Sequence, residues 1–185
     1  MVLYRIDPVR SRVWIEARST LHPIHSTTDG LEGYIDVEPL AGGGLDPHVE
    51  PAGKLSFAVS RLSSGNRLED RELHKRIDAR RFPTIDGVLT GMEPLDGDSR
   101  YRVSGDLAFR GVVRRCEDEM TLSVIDDQTI QLDGSSTFDV RDFGHVAFYN
   151  ETAGRIEMHL EALRAVDAAI DGVPRRFAKG ERIHT

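Results

Sequence analysis

One cysteine, Cys116, in 185 residues excludes an intrachain disulfide and any cysteine-based zinc cluster within a single chain. Positive charge is also in short supply. Lys and Arg number 24 against 31 Asp and Glu, a net charge of -7, and this argues against a phosphate-backbone binder, which carries a basic stripe. The short cluster Arg175, Arg176, Lys179 and Arg182 is read as a solvated end rather than a nucleic-acid or membrane contact. No apolar run approaches the roughly 20 residues that span a bilayer as a helix. Strand-like sequence begins at Tyr4, which leaves no room for the basic start, apolar stretch and cleavage site of a secretory leader. The expectation is a soluble, cytoplasmic protein. Internal repeats and low-complexity tracts are lacking too, and the length suits one domain that either fills a core or encloses a cavity.

What the chain does have is alternation. From Arg100 to Arg110, Tyr101, Val103, Leu107 and Phe109 fall on one side, and Arg102, Ser104, Asp106 and Arg110 on the other. This is the pattern of a half-buried antiparallel strand. Gly111 breaks it, and a second alternating run follows from about Val113, which reads as a hairpin. Similar runs occur at Arg12 to Arg18, Gly30 to Val37, Lys54 to Ser60, Thr84 to Met92, Ile130 to Phe138 and Ile156 to Ala162, with a short extended piece ending at Pro8. Ser19 to Asp29 reads as a polar segment, Pro39 to Gly53 as a loop without its own core, and Asp96-Gly97-Asp98 as a tight turn.

One segment departs from the period of two. Asn66 to Ala79 lacks Pro and Gly and places Leu73 and Ile77 four apart, as a short amphipathic helix does, with Asn66 and Glu69 as a variant capping box. Phe82-Pro83 ends it. About eight strands joined mostly by short turns, with one inserted helix, favour a closed antiparallel barrel or a sandwich. Residues 1–165 form this domain, and 166–185 lie beyond the pattern as a C-terminal extension or tail.

Four stretches resemble the YceI-like family. They are Ile6-Asp7-Pro8 with Ser11, Val13 and Ile15; Phe82-Pro83-Thr84-Ile85; Leu107-Ala108-Phe109-Arg110-Gly111-Val112-Val113-Arg114; and Asp139 with Asp142-Phe143-Gly144. The chain departs from the family pattern at Arg10, Ser19, Gly87 and Val140, and it is expected to lack the leader that many members carry. The resemblance implies an all-β, lipocalin-like antiparallel barrel of the bacterial type that holds a polyisoprenoid or another long-chain amphiphile. It also suggests a homodimer.

On that reading, the apolar faces line a tunnel whose wall is Phe57, Tyr101, Val103, Leu107, Phe109, Met120, Leu122, Phe138 and Met158, with Phe143 as a further ligand-binding candidate. The competing reading is that the same side chains fill a core, and strand periodicity does not separate the two. Tyr101 and the segment from Ser19 to Thr28 would offer polar contacts to a head group. The helix would be a lid or plug over one barrel end. A bound lipid or isoprenoid is the expected occupant, with no metal or haem cofactor, no nucleic acid and no membrane span. Two alternatives remain open. His22 and His25 are metal or haem ligand candidates, with His74, His145 or His159 as recruits, although two His in a polar loop are more often solvated. Ser26, Asp29, His22 and His25 contain the residue types of a hydrolytic triad, and a lipocalin-like enzyme acting on a hydrophobic substrate follows from that, but no nucleophile elbow presents Ser26. A non-catalytic binding protein is the favoured reading.

Overall fold

The computed structural model describes residues 1–18, 23–96, 99–143 and 153–165. Ten antiparallel strands make up these residues: β1 (Val2–Ile6), β2 (Arg12–Arg18), β3 (Pro23–Thr28), β4 (Glu32–Val37), β5 (Ala52–Ala58), β6 (Thr84–Pro94), β7 (Arg100–Phe109), β8 (Val112–Val124), β9 (Thr129–Asp139) and β10 (Ala153–Arg164). One helix, α1 (Arg67–Ile77), is inserted between β5 and β6. The strand order is β1-β4-β5-β6-β7-β8-β9-β10-β2-β3, and a β1–β10 pairing closes the ring. The barrel has eight staves, because β1 with β2 and β3 with β4 are halves of two broken ones.

The first break shows how a barrel wall can be interrupted without losing a rung. Ile6 pairs with Ala162 and Arg12 with His159, so β10 carries both β1 and β2 on one edge. Between them, Asp7 folds the chain back by accepting the amides of Val9 at 2.8 Å and Arg10 at 3.2 Å. Ser11, fully buried, then replaces the missing backbone rung with its hydroxyl. It donates to the Glu161 carbonyl at 3.2 Å and accepts the Glu161 amide at 3.1 Å, which a hydroxyl can do simultaneously. The second break is turned at Gly30, with φ of 66°, whose amide reaches the Pro8 carbonyl at 3.1 Å.

Strand β3 corrects the reading of Ser19 to Asp29 as a polar segment. It pairs with β2 from Val13↔Thr28 to Arg18↔Pro23. Its inward side chains include Ser26 and Thr28, both buried, so two successive core-facing positions are polar and the apolar alternation is interrupted. The rest of the alternation places strands where expected, with small shifts. The β7–β8 hairpin turns on Arg110 and Gly111, at φ of 50° and 74°, the two positive values of a type I′ turn. The strand read to Ser60 ends at Ala58, where the 3₁₀ turn Val59–Arg61 begins.

Helix α1 starts as its sequence predicts. Asn66 accepts the Leu68 amide at 3.0 Å, and its own side-chain amide donates to Glu69 at 3.1 Å. The reciprocal bond thus runs side chain to side chain, a variant of the capping box. Asp70 ties the helix to the preceding turn, accepting the Ser64 amide at 2.6 Å and the Ser63 hydroxyl at 2.7 Å. These bonds seat Leu73 and Ile77 over one end of the barrel, where Ile77 is buried and Leu73 packs on the core.

The other end is filled. Tyr4, Val37, Tyr101, Leu122, Ile130 and Ala162 are all buried there, on neighbouring rungs of β1, β4, β7, β8, β9 and β10. The loop between β4 and β5 plugs it further: Leu45 packs against the core, and its amide donates to the Tyr101 hydroxyl at 2.9 Å. That loop, read from the sequence as having no core of its own, packs Leu45 onto the core of the barrel. No helix among the described residues is long and apolar enough to cross a membrane.

Candidate functional site

Between the plugged end and α1 the barrel encloses a cavity of about 590 Å³, within the range of about 300–1,000 Å³ typical of small-molecule sites. Eight of the ten wall residues expected from the sequence line it: Phe57, Val103, Leu107, Phe109, Met120, Phe138, Phe143 and Met158. Tyr101 and Leu122 are not among the lining residues. They sit in the filled end, 5% and 1% exposed, and the Tyr101 hydroxyl faces the Leu45 amide rather than a head group.

Two glycines make room for this space. Gly87 lies opposite Leu55 on β5 and Leu107 on β7, and a Cβ built on it meets nothing nearer than the Leu55 Cβ at 4.0 Å. Gly134 is covered by Met120, whose Cγ would stand 2.8 Å from a Cβ there, so Met120 lies flat on the wall instead of projecting into the cavity. At the helix end the rim is aromatic. The rings of Phe109 and Phe143 meet edge to face, with centroids 5.8 Å apart at 65°. Phe143 closes the 3₁₀ turn Val140–Phe143.

The wall also forks. The β8–β9 ladder runs from Val124↔Ile130 to Met120↔Gly134, whereas β8 stays paired with β7 to Val112 and β9 with β10 to Asp139. Glu119 to Val112 and Ser135 to Asp139 therefore diverge toward the rim. Asp118 and Ser136 are the first inward positions past the last rung. The Ser136 hydroxyl donates to the Asp118 carboxylate. Burial raises the Asp118 carboxyl above its ordinary range, the neighbouring Glu117 adds to the rise, and the Ser136 bond opposes it without cancelling it. Cys116, one inward position nearer the rim, also lines the cavity. Burial first, and then the charges of Asp118, Asp106 and Asp142, raise its thiol.

Asp118 is one of the lining residues that apolar alternation passes over. The signal was its parity: it stands between Cys116 and Met120 on the inward face of β8, and a carboxylate at such a position needs a reason to be there.

The alternative sites do not assemble among the described residues. His25 points outward, 64% exposed, with Nδ1 3.2 Å from a Glu16 carboxylate oxygen. Ser26 lines the cavity, and because neighbouring residues of a strand face opposite ways, His25 cannot reach its hydroxyl. Asp29 is engaged by Arg61, whose Nη2 lies 2.5 Å away. No group of three or more metal-binding side chains occurs among the described residues. His22 and His145 lie outside them, and His159 is held on the outer face by Asp133, with Nδ1 to Oδ1 at 2.6 Å.

Comparison with known proteins agrees with this architecture. The YceI-like domain model matches residues 4–166. No sequence match to a curated protein was found. Among solved structures, BcnA of Burkholderia cenocepacia is similar with a TM-score of 0.71 at 16% identity, over 84% of this chain and 98% of that one. A polyisoprenoid-binding domain from Saccharophagus degradans, implicated in plant cell wall breakdown, gives 0.70 at 11% identity, over 89% and 100%. The YceI protein of Campylobacter jejuni gives 0.68 at 12%, over 81% and 90%. At these identities the structures speak for the fold, while the family model spans nearly the whole chain: this protein belongs to the YceI-like domain family.

Proposed function

We propose that this protein binds and carries a long-chain amphiphile, such as an isoprenoid, an isoprenoid quinone or a fatty-acid-like lipid, inside the barrel. The observation that carries this reading is the cavity of about 590 Å³ walled by Phe57, Leu107, Phe109, Phe138 and Met158. Each methylene moved from water into such a space gains about 0.8 kcal/mol, so a chain of some ten carbons gains enough to bind without a dedicated polar contact, even after the cost of immobilising it. The polyisoprenoid-binding domain of Saccharophagus degradans, similar in fold, supports the same class of ligand.

Native mass spectrometry of the purified protein, before and after organic extraction, tests the reading. A hydrophobic adduct that extraction removes is expected. Protein that carries no adduct and takes up no long-chain amphiphile when offered one contradicts it.

A further inference from the structure

The cavity is lined mainly by apolar side chains, and its charged lining residues gather mostly along the forked part of the wall, where Arg114 and Arg115 lie toward the rim and Asp118 is the carboxylate at the first inward position past the last β8–β9 rung. Asp118 is half-buried and lines the space. Among the described residues its side-chain donor is Ser136, and the charge acting on it is that of Glu117, of the same sign. No cation is paired with it among the described residues. A carboxylate offers about four acceptor positions, so a single hydroxyl leaves most of them to solvent or to whatever occupies the cavity. When an alkyl chain displaces that water, the remaining positions must be met by donors on the ligand. An anionic head placed at the fork supplies none, and it sets like charges against each other in a medium that screens them poorly. An ammonium or hydroxyl head supplies what is missing.

We infer that Asp118, with Ser136, is the specificity-determining residue of the cavity, selecting long-chain amphiphiles whose head donates hydrogen bonds, amines above all, and rejecting those with a carboxylate or phosphate head. This rests on the carriage reading above and narrows it. The fork sets where the head lies: it is the first place along the wall where β8 and β9 part, so the chain extends toward Met120 and Met158 while the head sits between the strands.

The test uses the full chain loaded with a neutral fluorescent probe, N-phenyl-1-naphthylamine, and displaced by dodecylamine, dodecanol or dodecanoate below their micellar concentrations at neutral pH. Dodecylamine is expected to displace the probe at a concentration lower than dodecanoate by about tenfold or more. In Asp118→Asn that ratio should fall to about twofold, with dodecanol little affected. Asp127→Asn, which removes one exposed charge in the β8–β9 turn away from the cavity, should leave the ratio unchanged, separating the effect of Asp118 from the protein's overall negative charge. Should Asp118→Asn not fold, Asp118→Leu makes the same comparison. A ratio unchanged by removing the Asp118 charge, or a wild-type cavity that takes dodecanoate as readily as dodecylamine, overturns this inference and leaves carriage standing. Failure of the probe and all three amphiphiles to bind overturns both.

Discussion

The ring of Phe143 stands edge-on to that of Phe109, 5.8 Å between centroids, and this contact helps join the β7–β8 hairpin to the 3₁₀ turn after β9 across the forked part of the wall. Both residues line the cavity, and Phe143 is only 4% exposed. The pair is therefore a fastening of the rim as well as a piece of core. Phe143→Ala should cost about 3 kcal/mol of stability, and a double-mutant cycle with Phe109→Ala should give a coupling of about 0.5–1.5 kcal/mol. Release of a bound amphiphile, followed by stopped-flow fluorescence, should become faster in either variant. Additive stabilities with an unchanged release rate would mean that the rings do not hold the rim together.

The pH dependence of stability should carry the mark of Asp118. Its carboxyl is raised by burial and by Glu117, so the folded state holds the proton more tightly than the unfolded chain, whose carboxyl titrates near about 3.9. As pH climbs from that value through the raised folded one, the native state loses its proton late and stability falls. Asp118→Asn is isosteric and uncharged. It should be more stable than wild type above this window, with the advantage vanishing below about pH 4. Urea denaturation across pH measures the difference, and a difference independent of pH would contradict the placement of Asp118.

Cys116 gives a native reporter of the cavity, being the single cysteine of the chain and one of the lining residues. Burial, then the carboxylates of Asp118, Asp106 and Asp142, push its thiol up, and the thiolate is the reactive form. Alkylation by iodoacetamide at mildly alkaline pH should be slower than for an unhindered thiol, faster in Asp118→Asn, and slowed further when dodecanol occupies the cavity. Rates matching those of an unhindered thiol and unaffected by dodecanol would place Cys116 outside the cavity.

The staves were legible wherever the inward half of the alternation is apolar, as in β7 with Tyr101, Val103, Leu107 and Phe109. Strand β3 was not, because its inward Ser26 and Thr28 are small and polar although buried, and hydrophobicity reports chemistry rather than burial. Helix α1 was legible to within a residue or two from its cap and from the spacing of Leu73 and Ile77. The division between cavity and core was hidden for a different reason. Tyr101 and Val103 occupy successive inward positions of one strand, yet one is core and the other cavity wall. What separates them is Leu45, which arrives from a loop more than fifty residues earlier in the chain to cap Tyr101. Local pattern carries no trace of so distant a contact. Asp118 differs again: its inward parity was present in the sequence, but a search for apolar alternation skips a charged residue on the apolar face.

Gly87 provides the sharpest test of whether the space inside the barrel is a binding site. It faces the cavity between Leu55 and Leu107, its backbone is not in the left-handed region, and a Cβ there has no neighbour closer than 4.0 Å. Gly87→Phe should therefore place a ring in the cavity and fill it without displacing the wall. The measurement is the affinity for N-phenyl-1-naphthylamine in wild type and in Gly87→Phe, with thermal unfolding followed alongside. A loss of about tenfold or more in affinity, with a melting temperature equal to or above that of wild type, is the predicted result, and undiminished binding in a Gly87→Phe protein that melts as wild type does would contradict it.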